Sequence, residues 1–229
     1  MPDLFEEQTQ KMRDAIRPLA DRLRPRELGE VVGQQHILGE DMLLPRMIAA
    51  DRLTSIIFWG PPGTGKTTLA SVIANETEGE FVSYNAAQVG VAEIRKVIDE
   101  AKNRVQFSGQ RTIVFLDEIH RFSKNQQDVL LDSVEQGVLI LIGATTENPG
   151  YTVNDALVSR STVFRLEPLE ADDIKTLLTR ATADTRGFGS LDLELSDETL
   201  AYFATRSDGD ARAALTALEI AVLSTPSGL

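Results

Sequence analysis

Ser55-Ile-Ile-Phe-Trp59 is a short apolar run closed by Thr54 and Gly60, the pattern of a strand buried on both faces. Similar runs recur at Phe81–Tyr84, Thr112–Leu116, Val138–Ile142 and Thr162–Arg165. Between them lie stretches with helical spacing: Thr67–Glu76, Val91–Val105, Gln126–Val134 and a short Asn154–Val158. In Val91–Val105 the apolar residues Ile94, Val97, Ile98 and Ala101 share one face, with Arg95, Lys96, Lys102 and Arg104 elsewhere. Ahead of the first strand, Leu4–Arg17 reads as a helix ended by Pro18. Arg22–Gly33 is irregular, and Ile37–Asp51 has helical spacing. After Pro168 only helical periods follow, at Ala171–Ala183, Asp197–Arg206 and Asp210–Leu223, before a turn-like end from Ser224 to Leu229. Strands alternating with helices predict an α/β fold, a five-stranded parallel sheet flanked by helices with right-handed crossovers, followed by a small all-helical lid. The expected division is residues 1–168 and 169–229.

Composition narrows this picture without redirecting it. The chain has 229 residues, 42% hydrophobic and 25% charged, enough apolar material for a sizeable core. No apolar stretch approaches the ~20 residues of a bilayer-spanning helix, and Met1–Arg17 has no apolar centre, so neither a membrane partner nor a secretory signal is expected. The absence of cysteine excludes disulfides and thiolate metal sites and fits a cytoplasmic setting. His36 and His120 are too few for a histidine-built metal centre, and His120 reads as structural. With 23 Lys and Arg against 35 Asp and Glu, the net charge is -12, which counts against non-specific nucleic-acid binding by a monomer. The basic residues Arg13, Arg17, Arg22, Arg24 and Arg26 nevertheless gather before the first strand, as a solvated face or a nucleotide-facing one.

The chemistry starts where the first strand ends. Gly60-Pro-Pro-Gly-Thr-Gly-Lys-Thr67 fits G-x-x-x-x-G-K-[ST], between a predicted strand and a predicted helix. Its glycines, Gly60, Gly63 and Gly65, let the backbone around Pro61, Pro62 and Thr64 turn its N–H groups toward phosphates. Lys66 reaches the β and γ phosphates of ATP, the Thr67 hydroxyl ligates Mg²⁺, and the helix through Thr68 aims its positive end at the same anions. Thr112-Ile-Val-Phe-Leu-Asp-Glu118 is an apolar strand ending in two carboxylates. Parallel sheets bind ligands at strand C-termini, which sets Asp117 beside the loop to hold Mg²⁺ through water, and Glu118 one residue on to polarise the attacking water. The fourth strand, ending Gly143-Ala-Thr-Thr-Glu-Asn-Pro149, should lie between the strands carrying the loop and Asp117. Thr146 would then reach the γ-phosphate or the water, though Thr, Asn and Pro also make ordinary turns.

Together these residues resemble the AAA+ superfamily, in the branch of clamp-loader subunits and the RuvB branch-migration motor, and more closely the replication-associated recombination protein A family. The resemblance runs from about Leu19 to Leu218. It rests on Pro18-Leu-Ala-Asp-Arg-Leu-Arg-Pro-Arg26, Val32-Gly-Gln-Gln-His36, Trp59 through Thr68, Asp117-Glu-Ile-His-Arg-Phe122, Gln126-Gln127, Gly143 through Pro149, Ala156-Leu-Val-Ser-Arg160 and Gly209-Asp-Ala-Arg212. It implies a P-loop ATPase (AAA+) core with an N-terminal adenine-cradling segment, then the lid. Thr146 is implied as the sensor-1 residue and Arg160 as an arginine finger entering the next subunit's site. Arg212 is implied as the lid's sensor-2 residue and Asn85 as the switch that restrains Glu118. Arg24, Pro25, Val31 and Val32 are implied to cradle adenine. Read without the family, Arg160 and Arg212 are surface arginines at helix ends. Family members continue into a C-terminal helical domain that drives oligomerisation, so a chain ending at Leu229 is expected to be truncated, with weakened self-assembly.

The expected function is a DNA-dependent ATPase in replication-fork maintenance and recombination, hydrolysing ATP at subunit interfaces. Its expected partners are copies of itself, forked or ended DNA and replication or repair proteins. Arg95, Lys96, Lys102 and Arg104 offer either a DNA-backbone contact or a solvated amphipathic face. Two other classes stay open: a RuvB-like or clamp-loader-like motor with another DNA task, and a nucleotide-sensing, non-catalytic binding module. The intact Glu118, Lys66 and Arg160 argue against the module.

Overall fold

The computed structural model describes residues 17–191 and 193–225. Nearly all of the expected helix over residues 4–17, and the last four residues, lie outside that range. The described chain divides into two compact units: Pro25–Glu167, and residues up to Arg24 together with those from Pro168 onward.

In the Pro25–Glu167 unit, five strands, β1 (Ser55–Trp59), β2 (Glu80–Asn85), β3 (Thr112–Asp117), β4 (Leu139–Thr145) and β5 (Ser161–Arg165), form one sheet in the order β2-β3-β4-β1-β5. Every pairing is parallel. β4 therefore does separate the strand that leads into the glycine-rich loop from the strand that ends at Asp117. The two-residue period sorts the strand side chains into two layers. Ile56, Phe58, Ile113, Phe115, Ile140 and Ile142 point to one side, against Leu44, Met47 and Ile48 of α3 (Leu43–Ala49) and Leu69, Ala70 and Ile73 of α4 (Lys66–Glu76). Ile57, Val114, Leu116, Leu139 and Leu141 point to the other, against Ile94, Val97, Ile98 of α5 (Val91–Ser108) and Leu130 of α6 (Lys124–Glu135). Burial on both faces is why these strands read as continuous apolar runs.

The expected single helix over Ile37–Asp51 is two: α2 (Gln35–Leu38) and α3. A turn closed by Met42 N–H donating to the Gly39 carbonyl at 2.9 Å separates them, and Pro45 fits because it falls in the first turn of α3. β4 runs three residues further than its pattern predicts, since Gly143, Ala144 and Thr145 remain buried in the ladder. A short α7 (Pro149–Thr152), capped by Asn148, precedes α8 (Asp155–Ser159).

The second unit is helical: α1 (Leu19–Arg22), α9 (Ala171–Ala183), α10 (Asp197–Arg206) and α11 (Ala211–Ser224). Leu19 and Leu23 are buried with Leu169, Ile174, Leu178, Phe188, Leu215 and Leu218. The Glu219 carboxylate accepts the Leu19 N–H at 3.0 Å and pairs with Arg22 at 3.3 Å, so one side chain of α11 satisfies the start of α1. Residues 19–24 thus group with the lid helices, where the sequence pattern had set them with residues up to 168.

Candidate functional site

Parallel strands put all their C-terminal ends on one edge, and the chemistry-bearing residues of the sheet unit follow those ends. β1 runs into Gly60–Gly65 and α4 begins at Lys66. Two contacts fix where the loop leaves the sheet: Gly60 N–H donates to the Thr145 carbonyl at 3.2 Å, and Leu166 N–H to the Trp59 carbonyl at 2.8 Å. At Gly60 the chain passes so close to β5's exit that a Cβ would stand 2.3 Å from the Leu166 carbonyl oxygen. Gly65 is needed for another reason. It has open space around it, but its φ of +100° reverses the chain into α4.

Inside the loop, Thr64 Oγ1 donates to the Pro61 carbonyl at 2.9 Å. Lys66, 7% exposed, folds back so that Nζ donates to the carbonyls of Gly60 and Pro61 at 2.7 and 2.6 Å. Its ammonium therefore sits in the mouth of the loop. The sequence reading missed Gln34, a buried residue with φ of +58°. Its amide donates to the Glu167 carbonyl at 2.7 Å and accepts the Glu167 N–H at 3.0 Å, while reaching toward the Thr64 carbonyl at 3.4 Å. It ties residues 31–34 to the loop and to β5's exit. The one signal for it was a glutamine directly after Gly33, at the end of the Val31-Val32-Gly33 run.

Gly60→Ala is expected to cost about 1–3 kcal/mol of folding stability, because a backbone carbonyl must give way to the new methyl. Gly29→Ala, where nothing lies within 4 Å, should stay within ~0.5 kcal/mol of the parent. Denaturant titrations without nucleotide check both, and equal midpoints for the two variants would refute the close-approach account.

β3 delivers the carboxylates. Thr67 Oγ1 lies 3.3 Å from Asp117 Oδ2, so the two expected Mg²⁺ ligands already meet. Asp117 Oδ1 accepts the Glu118 N–H at 3.0 Å. Glu118 itself has φ of +55°, a left-handed conformation uncommon for a side chain with a Cβ, held here at the strand's end. Among the described residues no group of three or more His, Cys, Asp or Glu gathers as a metal cage. One carboxylate beside one hydroxyl is what a Mg²⁺ shared with phosphates and water requires.

β4 ends at buried Thr145, and Thr146 follows it, exposed. His120, expected to be structural, lies in this site with its side chain 6% exposed. Its Nδ1 meets Thr145 Oγ1 at 2.9 Å, and its Nε2 stands 3.2 Å from Glu118 Oε2 and 3.8 Å from Glu147 Oε1. Asn85 ends β2 directly across the ladder from Asp117, but its side chain is turned to its own loop, accepting the Ala87 N–H at 2.9 Å. The contact to the Glu118 carboxylate comes from His120.

Other candidates stand apart. Arg160 follows α8, where its guanidinium pairs with Glu135 at the end of α6 and donates to the Ala156 carbonyl at 2.9 Å. Pro25 and Val32 are half-buried, and Val31 packs on the core. Arg24 and Arg212 belong to the helical unit. Arg24 pairs with Asp21 at 2.7 Å. Arg212 is exposed in the first turn of α11, after the Asp210 cap, where the helix dipole disfavours a cation.

The family model for "ATPase family associated with various cellular activities (AAA)" matches residues 56–169. The chain is 48% identical over 208 residues to the replication-associated recombination protein A of Escherichia coli K12, covering 90% of this chain and 46% of that protein. It is 42% identical over 205 residues to the ATPase WRNIP1 of Dictyostelium discoideum, covering 90% of this chain and 23% of that one. The chain thus spans about half the length of such bacterial relatives. Among solved structures, the Thermotoga maritima RuvB Holliday junction branch migration motor aligns with a TM-score of 0.71 and 25% identity, over 89% of this chain and 68% of that one.

Proposed function

We propose a function from the premise that this chain belongs to the AAA family of ATPases, alongside the replication-associated recombination protein A relatives. It binds ATP in the Gly60–Thr68 loop and hydrolyses it at an interface between copies. One observation carries this reading: Thr67 and Asp117 meet at 3.3 Å, below a loop whose mouth holds the Lys66 ammonium, with Glu118 next in the chain. When the triphosphate enters, Lys66 exchanges two loop carbonyls for phosphate oxygens. Thr67 and Asp117 would hold a Mg²⁺ ion, which would offset charge on the phosphates. Glu118 accepts a hydrogen bond from the attacking water and orients it. Thr146 faces the γ-phosphate, Asn85 acts on the site from β2, and Arg160 and Arg212 stabilise charge that develops on the transferring group. Arg24, Pro25, Val31 and Val32 hold the adenine.

The energy of hydrolysis is used on DNA at replication forks or DNA ends, in the cytoplasm. Relatives named for replication-associated recombination support this, as does likeness to a Holliday junction motor. No helix of the described residues is long and apolar enough to cross a membrane. With a net charge of -12, any DNA contact must be local. On α5, Arg95, Lys96 and Lys102 are exposed, whereas Arg104 donates to Thr112 Oγ1 at 2.6 Å and serves the fold.

ATP turnover measured with no DNA and with single-stranded, duplex, gapped, forked and four-way DNA tests the proposal. Stimulation that is greatest with forks or ends is expected. Greatest stimulation by four-way junctions would favour a RuvB-like motor. Turnover indifferent to every DNA would overturn the DNA role, and ATP binding without turnover would favour a nucleotide-sensing module.

A further inference from the structure

We propose that His120 is a positioning residue that transmits the state of the β4 loop to Glu118, a proposal that rests on reading Glu118 as the group that orients water. The ring bridges two parts of the site that are far apart in sequence. Nε2 faces two carboxylates, Glu118 at 3.2 Å and Glu147 at 3.8 Å, so this nitrogen carries a hydrogen. In the neutral ring Nδ1 is then an acceptor, and Thr145 Oγ1, 2.9 Å away, is its donor. The hydroxyl is oriented to do this because its lone pair already takes the Glu147 N–H at 3.0 Å. The competing donation, from Thr145 Oγ1 to the Glu147 carbonyl, is longer at 3.3 Å. The result is a directional chain: Glu147 N–H to Thr145 hydroxyl, hydroxyl to imidazole, imidazole to the Glu118 carboxylate.

Both ends of this chain are anchored differently. Thr145 is fully buried in β4 and cannot swing, and the adjoining Gly60 N–H holds its carbonyl. Glu118 sits at a left-handed residue with its carboxylate about one-third exposed, so its position depends on what it hydrogen-bonds to. A shift of Thr146 or Glu147 when a γ-phosphate arrives or leaves alters the Glu147 N–H, then the hydroxyl, then the ring. With Nε2 shared between Glu118 and Glu147, that shift decides which carboxylate the ring holds. His120 never touches the nucleotide in this scheme. It sets whether Glu118 is aimed.

The test compares His120→Gln, whose amide nitrogen reproduces an Nε2 donor, with His120→Asn, whose shorter side chain reaches only the Nδ1 position. Thr145→Ser and Thr145→Val form the second pair, with and without the hydroxyl. For each, kcat and the ATP dissociation constant are measured, with thermal melting to confirm folding and Glu118→Gln as reference. His120→Asn and Thr145→Val should lose roughly 10- to 100-fold in kcat with ATP affinity within about threefold of the parent. His120→Gln and Thr145→Ser should recover most of the rate. Equal kcat in His120→Asn and His120→Gln, at similar melting temperatures, overturns the proposal, as does a loss confined to ATP affinity. If Glu118→Gln itself turns over normally, the reading of Glu118 fails instead. If Glu118→Gln is dead while His120→Asn is fully active, only the His120 proposal fails.

Discussion

Lys66→Ala is expected to abolish tight Mg-ATP binding, weakening it by on the order of 100-fold or more, since charge-assisted hydrogen bonds contribute about 1.5–3 kcal/mol each. The ammonium is already concentrated at the loop's mouth, held by the Gly60 and Pro61 carbonyls. Those carbonyl bonds also mean that alanine could loosen the empty loop. Two measurements separate the effects. Melting without nucleotide reports the loop, and Lys66→Met keeps the buried stem while removing the charge. The parent should gain roughly 2.7 kcal/mol of stability at ATP concentrations 100 times its dissociation constant, whereas both variants should gain almost nothing. Near-parental affinity by calorimetry in either variant would contradict the assignment of the loop.

The second large effect is expected from mixtures. Arg160→Ala and Glu118→Gln should each reduce turnover by about 10³-fold when homogeneous, one through the lost finger and the other through the unoriented water. The contacts of Arg160 within its own chain are Glu135, Ala156 and Ser159, none of them part of the Gly60–Thr68 loop. Its removal therefore leaves its own pocket whole, and ATP binding should stay near normal. In a 1:1 co-assembly, about a quarter of head-to-tail interfaces would join an intact Arg160 from the Glu118→Gln subunit to the intact pocket of the Arg160→Ala subunit. Activity should return in proportion. A finger acting on its own pocket, or a purely structural Arg160, predicts no recovery at any ratio, and no recovery in mixtures shown to co-assemble would end the shared-site account.

The sheet was legible because its inner strands β1, β3 and β4 are buried on both faces and so write uninterrupted apolar runs, Ile56-Ile57-Phe58 most plainly. The loop was legible because its spacing is dictated by phosphate geometry, and Asp117 because a carboxylate closing an apolar strand beside such a loop has few other uses. What failed to show was anything decided by where a turn aims a side chain. His120 lies beside Glu118 only because Glu118 takes a left-handed conformation, and nothing in Asp-Glu-Ile-His announces that reversal. Asn85 stands at the expected strand end, yet its carboxamide is engaged by the next turn. The spacing of Ile37–Asp51 is continuous, so the turn at Gly39–Met42 left no break in period. Leu19 and Leu23 signal burial but not against which elements; Glu219, two hundred residues on, decides that.

The strand order carries a consequence for biosynthesis. β1 lies between β4 and β5, both made later, so on the ribosome it emerges with neither neighbour available. Arg165, its last partner, follows Trp59 by roughly 100 residues, a delay of about 5–20 s at ordinary translation speeds. Until β4 follows, Ile56, Ile57 and Phe58 are unpaired apolar strand, a segment prone to edge-to-edge association. Nucleotide cannot protect it, because the loop after β1 takes its shape from the Thr145 carbonyl and from Leu166. Vectorial synthesis thus leaves β1 without its neighbours until late in the chain, and ligand can stabilise this domain only after the sheet has closed.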